Sequence, residues 1–299
     1  MAVKKHPILT ALLIIIVVAF FLGATMFVVL KGFSPSTNLS FGDKIGVIPI
    51  SGAITESQAV TSQLVRFKKD KGIKAIILRI NSPGGGVGPS QEIYREVRRT
   101  IKTKKVIASL GGVAASGGYY IAAAADQIVA NPGTITGSIG VLMEFLWAED
   151  LLKKIGIKLE VLKSGEFKDT GGPHRELTKR DKDLLNALIA EIRSQFVQAV
   201  AEGRDLSLEQ VDQIADGRIL SGSQAKELGL VDALGNFQDA VELSKEIVGI
   251  KGDVTLVYPE KSRSEIWDLI LNKAFQTLEG RLKELTTQME YRWNGLQGY

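Results

Sequence analysis

The chain has 299 residues, of which 45% are hydrophobic and 23% charged, and its formal net charge is +4. These fractions indicate one or two globular domains with a sizeable core and exclude general disorder. Basic residues alternate with acidic ones, so we expect no nucleic-acid partner. Cysteine is absent and histidine occurs only at His6 and His174, which excludes disulfides, thiolate catalysis and a cysteine- or histidine-rich zinc site.

The N-terminal segment predicts a membrane anchor. Residues 7–30 carry no charge, and a helix over them, at about 1.5 Å per residue, exceeds the roughly 30 Å hydrocarbon core of a bilayer. Two lysines precede the segment within residues 1–6, so the positive-inside rule places those residues in the cytoplasm and the remaining chain outside. A cleaved signal peptide is the alternative, but the apolar stretch is longer than a signal peptide requires.

A short polar linker, residues 31–43, leads into alternating strand and helix patterns. Apolar, β-branched runs predict strands at 45–50, 75–80, 106–110, 127–130, 139–142 and 158–162. Helical periodicity or capping signals predict helices at 57–69 and 91–101, directly after Ser116, at 178–202 and from 207 onward. This order predicts an α/β domain with right-handed crossovers.

Ser116 lies at the centre of the most informative stretch, VIASLGGVAASGGYYIAAAA. An apolar strand is broken by glycines and is followed by an alanine-rich helix, so the serine sits at the strand-to-helix turn. Small neighbours would let a substrate approach the hydroxyl, and the helix N-terminus would offer unpaired N–H groups to an oxyanion. The alternative is that Ser116 is only a helix N-cap.

Two further loops have compositions that suit a reaction site. NSPGGGV, residues 81–87, follows a buried strand, and its glycines can present backbone N–H groups in conformations closed to other residues. An ordinary turn and a phosphate-binding loop are the alternatives, although no P-loop lysine follows. KSGEFKD, residues 163–169, carries Lys163 and Lys168 just after a predicted strand.

A nucleophilic serine needs a proton acceptor within hydrogen-bonding reach. His6 lies on the wrong side of the expected membrane, which leaves His174 as the available imidazole. A lysine can replace it if burial lowers its pKa by about 3 units, to near neutrality. Sequence spacing alone does not decide between His174 and Lys168.

Five ordered motifs resemble the bacterial signal peptide peptidase A family of protease IV-like serine peptidases. They are NSPGGGV, GGVAASGGYYIA, GSIGV, KSGEFKD with PHRELT, and ADGRILSGSQAKELGLVDALG, in this order behind one anchor. The resemblance extends over about residues 44–243. The resemblance implies a crotonase/Clp-protease-like α/β fold of repeated β-β-α units and a single catalytic domain over 44–250. Residues 251–299 would add a C-terminal strand and an amphipathic tail, for which no resemblance is found.

The resemblance also implies the site residues. The motif serine is Ser116, and the general-base lysine of KSGxxKD is Lys168 and not Lys163. Ser138 would hydrogen-bond the lysine amine. The oxyanion would be held by N–H groups of the first glycines of PGGG, Gly84 or Gly85, and of Gly117. No metal or organic cofactor is needed.

The implied function is a membrane-anchored serine endopeptidase that hydrolyses remnant signal peptides. It would lie in the bacterial inner membrane with its catalytic domain on the outer side, as a homo-oligomeric ring whose dyads form within or between subunits. Two alternatives remain open. The crotonase fold also carries catalytically silent proteins, so the domain could be a scaffold. A related membrane peptidase that cuts a stomatin-like partner would share the same chemistry.

Overall fold

The computed structural model describes residues 16–24 and 42–259. Residues 16–24 are helical and belong to a first unit that ends at Phe41, and the second unit begins at Gly42. None of the helices in these described ranges is both long and apolar enough to cross a membrane. Most of the expected anchor, nearly all of the linker and the amphipathic tail from residue 260 lie outside the described residues.

The second unit alternates strands and helices. Its strands are β1 (Lys44–Ser51), β2 (Ile73–Ser82), β3 (Lys105–Ala115), β4 (Gln127–Ala130), β5 (Ile135–Gly137), β6 (Ile219–Ser221), β7 (Ala233–Leu234) and β8 (Thr255–Val257). Its α-helices are α1 (Gln58–Lys69), α2 (Val87–Thr100), α3 (Gly117–Ala122), α4 (Glu149–Lys154), α5 (Lys179–Arg204), α6 (Leu208–Asp212), α7 (Gly222–Glu227) and α8 (Phe237–Val248). A 3-10 helix covers Glu166–Asp169.

The strands form one mixed sheet in the order β6-β5-β3-β2-β1-β8, and β4 joins β3 to β7. The pairs are parallel except for β5 with β6, which is antiparallel. The α/β class predicted from the sequence is therefore confirmed. The repeated β-β-α units implied by the resemblance are incomplete in the first half of the domain. Between β1 and α3 single strands alternate with helices, and an isolated bridge joins Ile54 to Gly85.

Both faces of the central strands are buried, which explains why these strands are continuous apolar runs. On β2, Ile76 and Leu78 pack into the larger core cluster, which includes residues of α1, α2, α3 and α5. The intervening Ile77 packs into a second cluster with Val241 of α8. Helices thus cover the sheet on both sides, and the carboxyl ends of β2 and β3 bring the glycine-rich loop and Ser116 together.

Two predicted strands are wrong. Residues 139–142 and 158–162 form no strand; β5 precedes the first of them and pairs with β3 and β6 instead. The side chains of Leu142 and Leu162 are 76% and 93% exposed. A short apolar run becomes a strand only where a neighbouring strand accepts its backbone hydrogen bonds, and these two runs have no such neighbour among the described residues.

The predicted helix starts are mostly accurate. The capping boxes of α5 and α6 are both formed: the side chains of Thr178 and Ser207 accept hydrogen bonds from the N–H groups of Asp181 and Gln210. Helix α2 begins at Val87, earlier than the predicted residue 91. Pro89 in its first turn suits that start, because the first helical N–H groups need no partner within the helix.

Candidate active site

Ser116 stands in a strained backbone conformation at the end of β3. Its φ of 52° and ψ of −122° lie outside the usual regions for a residue with a side chain. Its side chain makes no capping hydrogen bond to α3, so the interpretation of Ser116 as a simple N-cap is not supported. The strained turn exposes the hydroxyl at the mouth of a cavity, which is the arrangement of a nucleophile elbow.

Gly84 allows the glycine-rich loop to contact this turn. A Cβ atom at position 84 would lie 2.8 Å from the backbone nitrogen of Gly117 and 2.9 Å from Cβ of Ser116. Gly84 also has a φ of 106°, which favours glycine. Both the close approach and the backbone conformation therefore require glycine at this position.

The structure separates the two candidate oxyanion donors of this loop. The N–H of Gly84 donates to Oγ of Ser82 at 3.1 Å and is therefore occupied. Ile54 bonds to the residues on either side of Gly85, donating to the oxygen of Gly84 and accepting from the N–H of Gly86. In a parallel bridge of this kind the N–H of the middle residue points away from the partner. Gly85 therefore keeps an unpaired N–H.

The backbone nitrogen of Gly85 lies close to the start of α3. A Cβ atom at Gly117 would lie 3.3 Å from the backbone nitrogen of Gly85, and Gly117 is the first residue of its helix, where no helical carbonyl accepts its N–H. The N–H groups of Gly85 and Gly117 thus lie next to each other beside Ser116. This pair can hold one oxyanion.

Ser138 lies beside Ser116, as the motif resemblance implies. Strands β3 and β5 pair Ala115 with Gly137, so the serine that follows each strand leaves the sheet at the same place. Ser138 also has a positive φ, 51°, and its N–H donates to the carbonyl oxygen of Arg218 at 2.8 Å. Both serines line the same two cavities.

The first cavity has a volume of about 350 Å³ and is largely apolar. Its walls are supplied by the glycine loop, α2, the turn at Ser116, the segment after β5 and α5. Beyond the serines and glycines already named, its lining includes Val87, Tyr120, Val141, Leu142, Ile192 and Phe196. Burial raises the pKa of Tyr120, which therefore stays a neutral phenol. We call this cavity the apolar pocket.

Lys168 does not lie in the described site. It is exposed on the 3-10 helix, and neither cavity beside Ser116 includes it, Lys163 or His174 in its lining. Lys163 donates to the backbone oxygen of Glu166 at 3.0 Å and to Oδ1 of Asp169 at 2.9 Å. The chain therefore brings Ser116, Ser138 and the two glycines together but leaves both lysines of KSGEFKD apart from them.

An ion-pair network holds the lysine-bearing segment to α5. Arg175 donates to Oδ1 of Asp169 at 2.8 Å and to Oδ2 of Asp181 at 2.7 Å. Asp181 also accepts from Thr170 and forms the capping box of α5. Hydrogen bonds from Arg175 hold the pKa of both carboxyl groups well below their usual range. His174 lies 3.4 Å from Asp169 and joins this network.

Sequence reasoning missed two buried serines of the site. Ser82 accepts from Gly84 and donates to the oxygen of Gly52 at 2.6 Å, and Ser90 lines the apolar pocket beside Gly117. Their position on either side of the glycine-rich loop was the available signal. A serine beside a loop is too common to be singled out without the fold.

The fold and the site together are those of a serine hydrolase. A strained serine, two backbone N–H groups and an apolar pocket meet at the ends of parallel strands. Profiles of two protein families match the chain: Clp protease over residues 43–133 and peptidase family S49 over residues 98–251. The chain belongs to peptidase family S49, and its α/β fold is Clp-protease-like.

Relatives agree with this assignment. A putative protease from Synechocystis sp. is 44% identical over 70% of this chain and 76% of its own length. A putative protease from Methanocaldococcus jannaschii is 34% identical over 85% of this chain and 86% of its own length. A putative signal peptide peptidase SppA from Enterococcus faecium is 37% identical over 66% of this chain and 60% of its own length. The resemblance stated from the motifs is confirmed, and the protein is a peptidase.

Proposed function

We propose that the protein is a serine endopeptidase whose nucleophile is Ser116 and whose base is a lysine. The observation that carries this proposal is the strained Ser116 between the free N–H groups of Gly85 and Gly117, at the mouth of an apolar pocket. Strain of this kind persists only where surrounding structure maintains it, and it is concentrated at reaction sites.

In the proposed reaction Oγ of Ser116 attacks the peptide carbonyl carbon while the neutral lysine amine takes the hydroxyl proton. The negative charge on the former carbonyl oxygen is stabilised by the two glycine N–H groups. When the C–N bond breaks, the lysine returns the proton to the leaving amine. Water then attacks the acyl-serine with the lysine again as base, which releases the second product and restores Ser116.

The base is proposed to come from KSGEFKD. Lys168 is the residue that the motif resemblance implies. Lys163, five residues earlier, is the other lysine of this motif, and its side chain forms an ion pair with Asp169. A lysine must lose solvent to become neutral near pH 7, so the acting lysine has to enter the apolar surroundings of Ser116.

We propose that a second copy of this chain completes the site, as part of a homo-oligomeric ring. Segment 142–188 exposes many large apolar side chains that are close together in sequence, and exposed apolar surface of this kind marks interaction sites. It includes Leu142, Phe145, Leu146, Trp147, Leu151, Ile155, Leu162 and Leu188. Covering this surface with another copy would bury it and would carry the lysines of one copy toward Ser116 of a copy beside it.

We propose the substrate from the apolar pocket and the location from the N-terminal segment. The apolar pocket would accept small or apolar side chains, such as those of remnant signal peptides, a substrate suggested by the name of the Enterococcus relative. The uncharged residues 7–30 would anchor the protein in the membrane, with the catalytic domain on the outer side. Support for the anchor comes from the length and composition of this segment.

The test is hydrolysis of a quenched-fluorescent apolar peptide by the full chain, Ser116→Ala, and the control Ser62→Ala. Ser62 is an exposed serine of α1 that bonds only locally. We expect Ser116→Ala to lose at least about 10³-fold in turnover, since removing a nucleophile leaves little beyond oxyanion binding, and Ser62→Ala to retain full turnover. Equal turnover by all three proteins would refute the proposal.

A further inference from the structure

Another cavity, of about 490 Å³, continues the apolar pocket away from Ser116. The two cavities share Gln91 and Tyr120 in their linings, and both lie between α2 and α5. The second is polar, and its lining is completed by Tyr94, Arg95, Arg98, Gln195 and Glu202. A single groove therefore runs between the helices, apolar beside Ser116 and charged at its far end. We call the far end the arginine cleft.

The floor of the arginine cleft is held by side-chain contacts across the two helices. The hydroxyl of Tyr94 donates to the carbonyl oxygen of Ala199 at 3.0 Å, and Nε2 of Gln91 donates to Oε1 of Gln195 at 2.8 Å. The ring of Tyr94 packs on that of Tyr120, with centroids 5.0 Å apart. Burial raises the pKa of Tyr94 to about 12, so this tyrosine stays uncharged. The cleft is thus a structured surface.

The two arginines of the cleft differ in their pairing from the other charged residues of α2. Glu92 accepts from Ser57, and Glu96 pairs with Lys68 and Arg99, at 2.6 and 3.4 Å. Within the described part of the chain, Arg95 and Arg98 have no carboxylate at ion-pairing distance. The one acidic residue in the lining of the cleft, Glu202, accepts a hydrogen bond from Gln198.

Two arginines that have no ion-pair partner in the described ranges lie beside one carboxylate, which gives the cleft a net positive charge. We propose that the arginine cleft binds a carboxylate of the peptide substrate, through Arg95 and Arg98. This inference rests on the proposed peptidase function and adds a specificity element to it. Arginine suits this role, since its planar guanidinium donates two parallel hydrogen bonds to a carboxylate and stays charged at every working pH.

The geometry also sets where in the substrate the carboxylate lies. Ser90 is the residue of α2 that lies against Gly117, beside the nucleophile, and it is separated from Arg98 along the helix by about 12 Å at the rise of roughly 1.5 Å per residue. An extended peptide covers that distance with about four residues at roughly 3.3 Å each. The preferred substrate therefore has a carboxylate about three to five residues from the cleaved bond. Either a C-terminal carboxylate or an Asp or Glu side chain would supply it.

The experiment measures peptide binding to the full chain carrying Ser116→Ala, by fluorescence anisotropy, so that no peptide is consumed. Three fluorescein-labelled peptides share one apolar core. The first has Glu four residues from the expected cleavage site and an amidated C-terminus, and the second has Gln at that position with the same amide. The third ends at that position with Gln and a free C-terminal carboxylate. Arg95→Gln, Arg98→Gln and the double variant are compared with Arg99→Gln, a matched arginine of α2 outside the cleft.

We expect each carboxylate-bearing peptide that the cleft accepts to bind about three- to tenfold more tightly than the uncharged one, the range for a charge-assisted contact near the surface. The double variant should remove that preference, and Arg99→Gln should keep it. A preference for only the Glu peptide or only the free C-terminus identifies the source of the carboxylate. No preference, or one that survives the double variant, overturns the proposal.

Two controls separate this inference from the proposed function and from assembly. Cleavage of all three peptides by protein with an intact Ser116, without dependence on the arginines, would leave the peptidase proposal standing and refute the cleft. Arginine-dependent binding without any cleavage would support the cleft and refute the peptidase proposal. Native mass measurement of the arginine variants is the second control. If these variants bound all three peptides equally more weakly and also had a lower oligomer mass, the arginines would belong to contacts between copies, and the inference would be refuted.

Discussion

The backbone N–H of Ser116 donates a 2.9 Å hydrogen bond to the carbonyl oxygen of Gly137. This bond continues the pairing of β3 with β5 past the end of both strands, where Ser116 and Ser138 each take a positive φ. Each serine is thereby turned out of the sheet toward the same cavities. Pairing with the sheet therefore holds the strained backbone of Ser116, whose side chain makes no capping hydrogen bond to α3.

The lysine base is tested by Lys168→Ala, Lys163→Ala and the double variant. We expect one of the single variants, and not both, to lose turnover by several orders of magnitude, with Lys168 the position that the motif resemblance implies. Turnover in the active protein should rise with pH as the lysine deprotonates. The measurement is kcat/KM for an apolar peptide between about pH 6 and 10.

Loss confined to Lys163→Ala would transfer the base role to Lys163. His174→Ala serves as the control, because His174 contacts Asp169 and not the Ser116 cavities. It should retain a substantial part of the turnover. Full activity in the double lysine variant, or a complete loss in folded His174→Ala, would contradict a lysine base.

The oxyanion donor is tested by Gly85→Ala. A Cβ atom there would lie 2.3 Å from the carbonyl oxygen of Ile54, so the loop must move and the N–H of Gly85 with it. We expect kcat to fall by about 10²-fold, the usual effect of losing one oxyanion donor. The control is Gly88→Ala, where a Cβ atom meets nothing within 4 Å. If Gly85→Ala were as active as Gly88→Ala, the assignment would be wrong.

Tyr119 should stabilise the helix that follows Ser116. Its side chain is fully buried, and its hydroxyl donates to the carbonyl oxygen of Leu230 at 2.8 Å. Tyr119→Phe leaves that oxygen unpaired in the core, and we expect the free energy of unfolding to fall by about 1–2 kcal/mol. Urea unfolding measures this change. Tyr258→Phe, at an exposed tyrosine, is the control and should unfold like the parent protein.

The Arg175 network predicts an acid-sensitive segment. Because Arg175 lowers the pKa of Asp169 and Asp181, the stability that these carboxylates contribute is present above the ordinary Asp pKa of about 4 and is lost as the pH falls through their lower folded values. Arg175→Ala should lower Tm at neutral pH and should reduce the loss of Tm on acidification, since less of this stability remains to be lost.

Thermal unfolding between about pH 2 and 7 checks this prediction, with Arg180→Ala as control. Arg180 forms an exposed ion pair with Glu166, outside the network of Arg175. A Tm profile of Arg175→Ala that coincides with that of Arg180→Ala would show that the network contributes nothing measurable.

Periodicity and capping signals predicted most of the fold because they depend on neighbours in sequence. The Thr178 capping box and the buried strands β1 to β4 follow from local patterns. The strand predicted at 139–142 failed, since a strand depends on which other strand lies beside it. The sequence also predicted that Ser116 lies at a strand-to-helix turn, and it does. The occupied N–H of Gly84, by contrast, could be recognised only once Ser82 was placed.

The arginine cleft could not be predicted for a different reason. Arg95 and Arg98 belong to a run of charged residues on α2, and such a run is typical of an ordinary solvated helix face. Only the packing of α2 against α1 shows that Glu92 and Glu96 are paired there, and only the packing of α2 against α5 forms the cleft.

The most direct test of the account is covalent labelling of the full chain by a fluorophosphonate, read by peptide mass spectrometry. Such reagents phosphonylate a serine that is activated as a nucleophile and leave ordinary serines unmodified. We expect one adduct, on the peptide that contains Ser116, and no adduct in Ser116→Ala. Protein that is folded and assembled but remains unlabelled, or that carries the adduct on another serine, would contradict it.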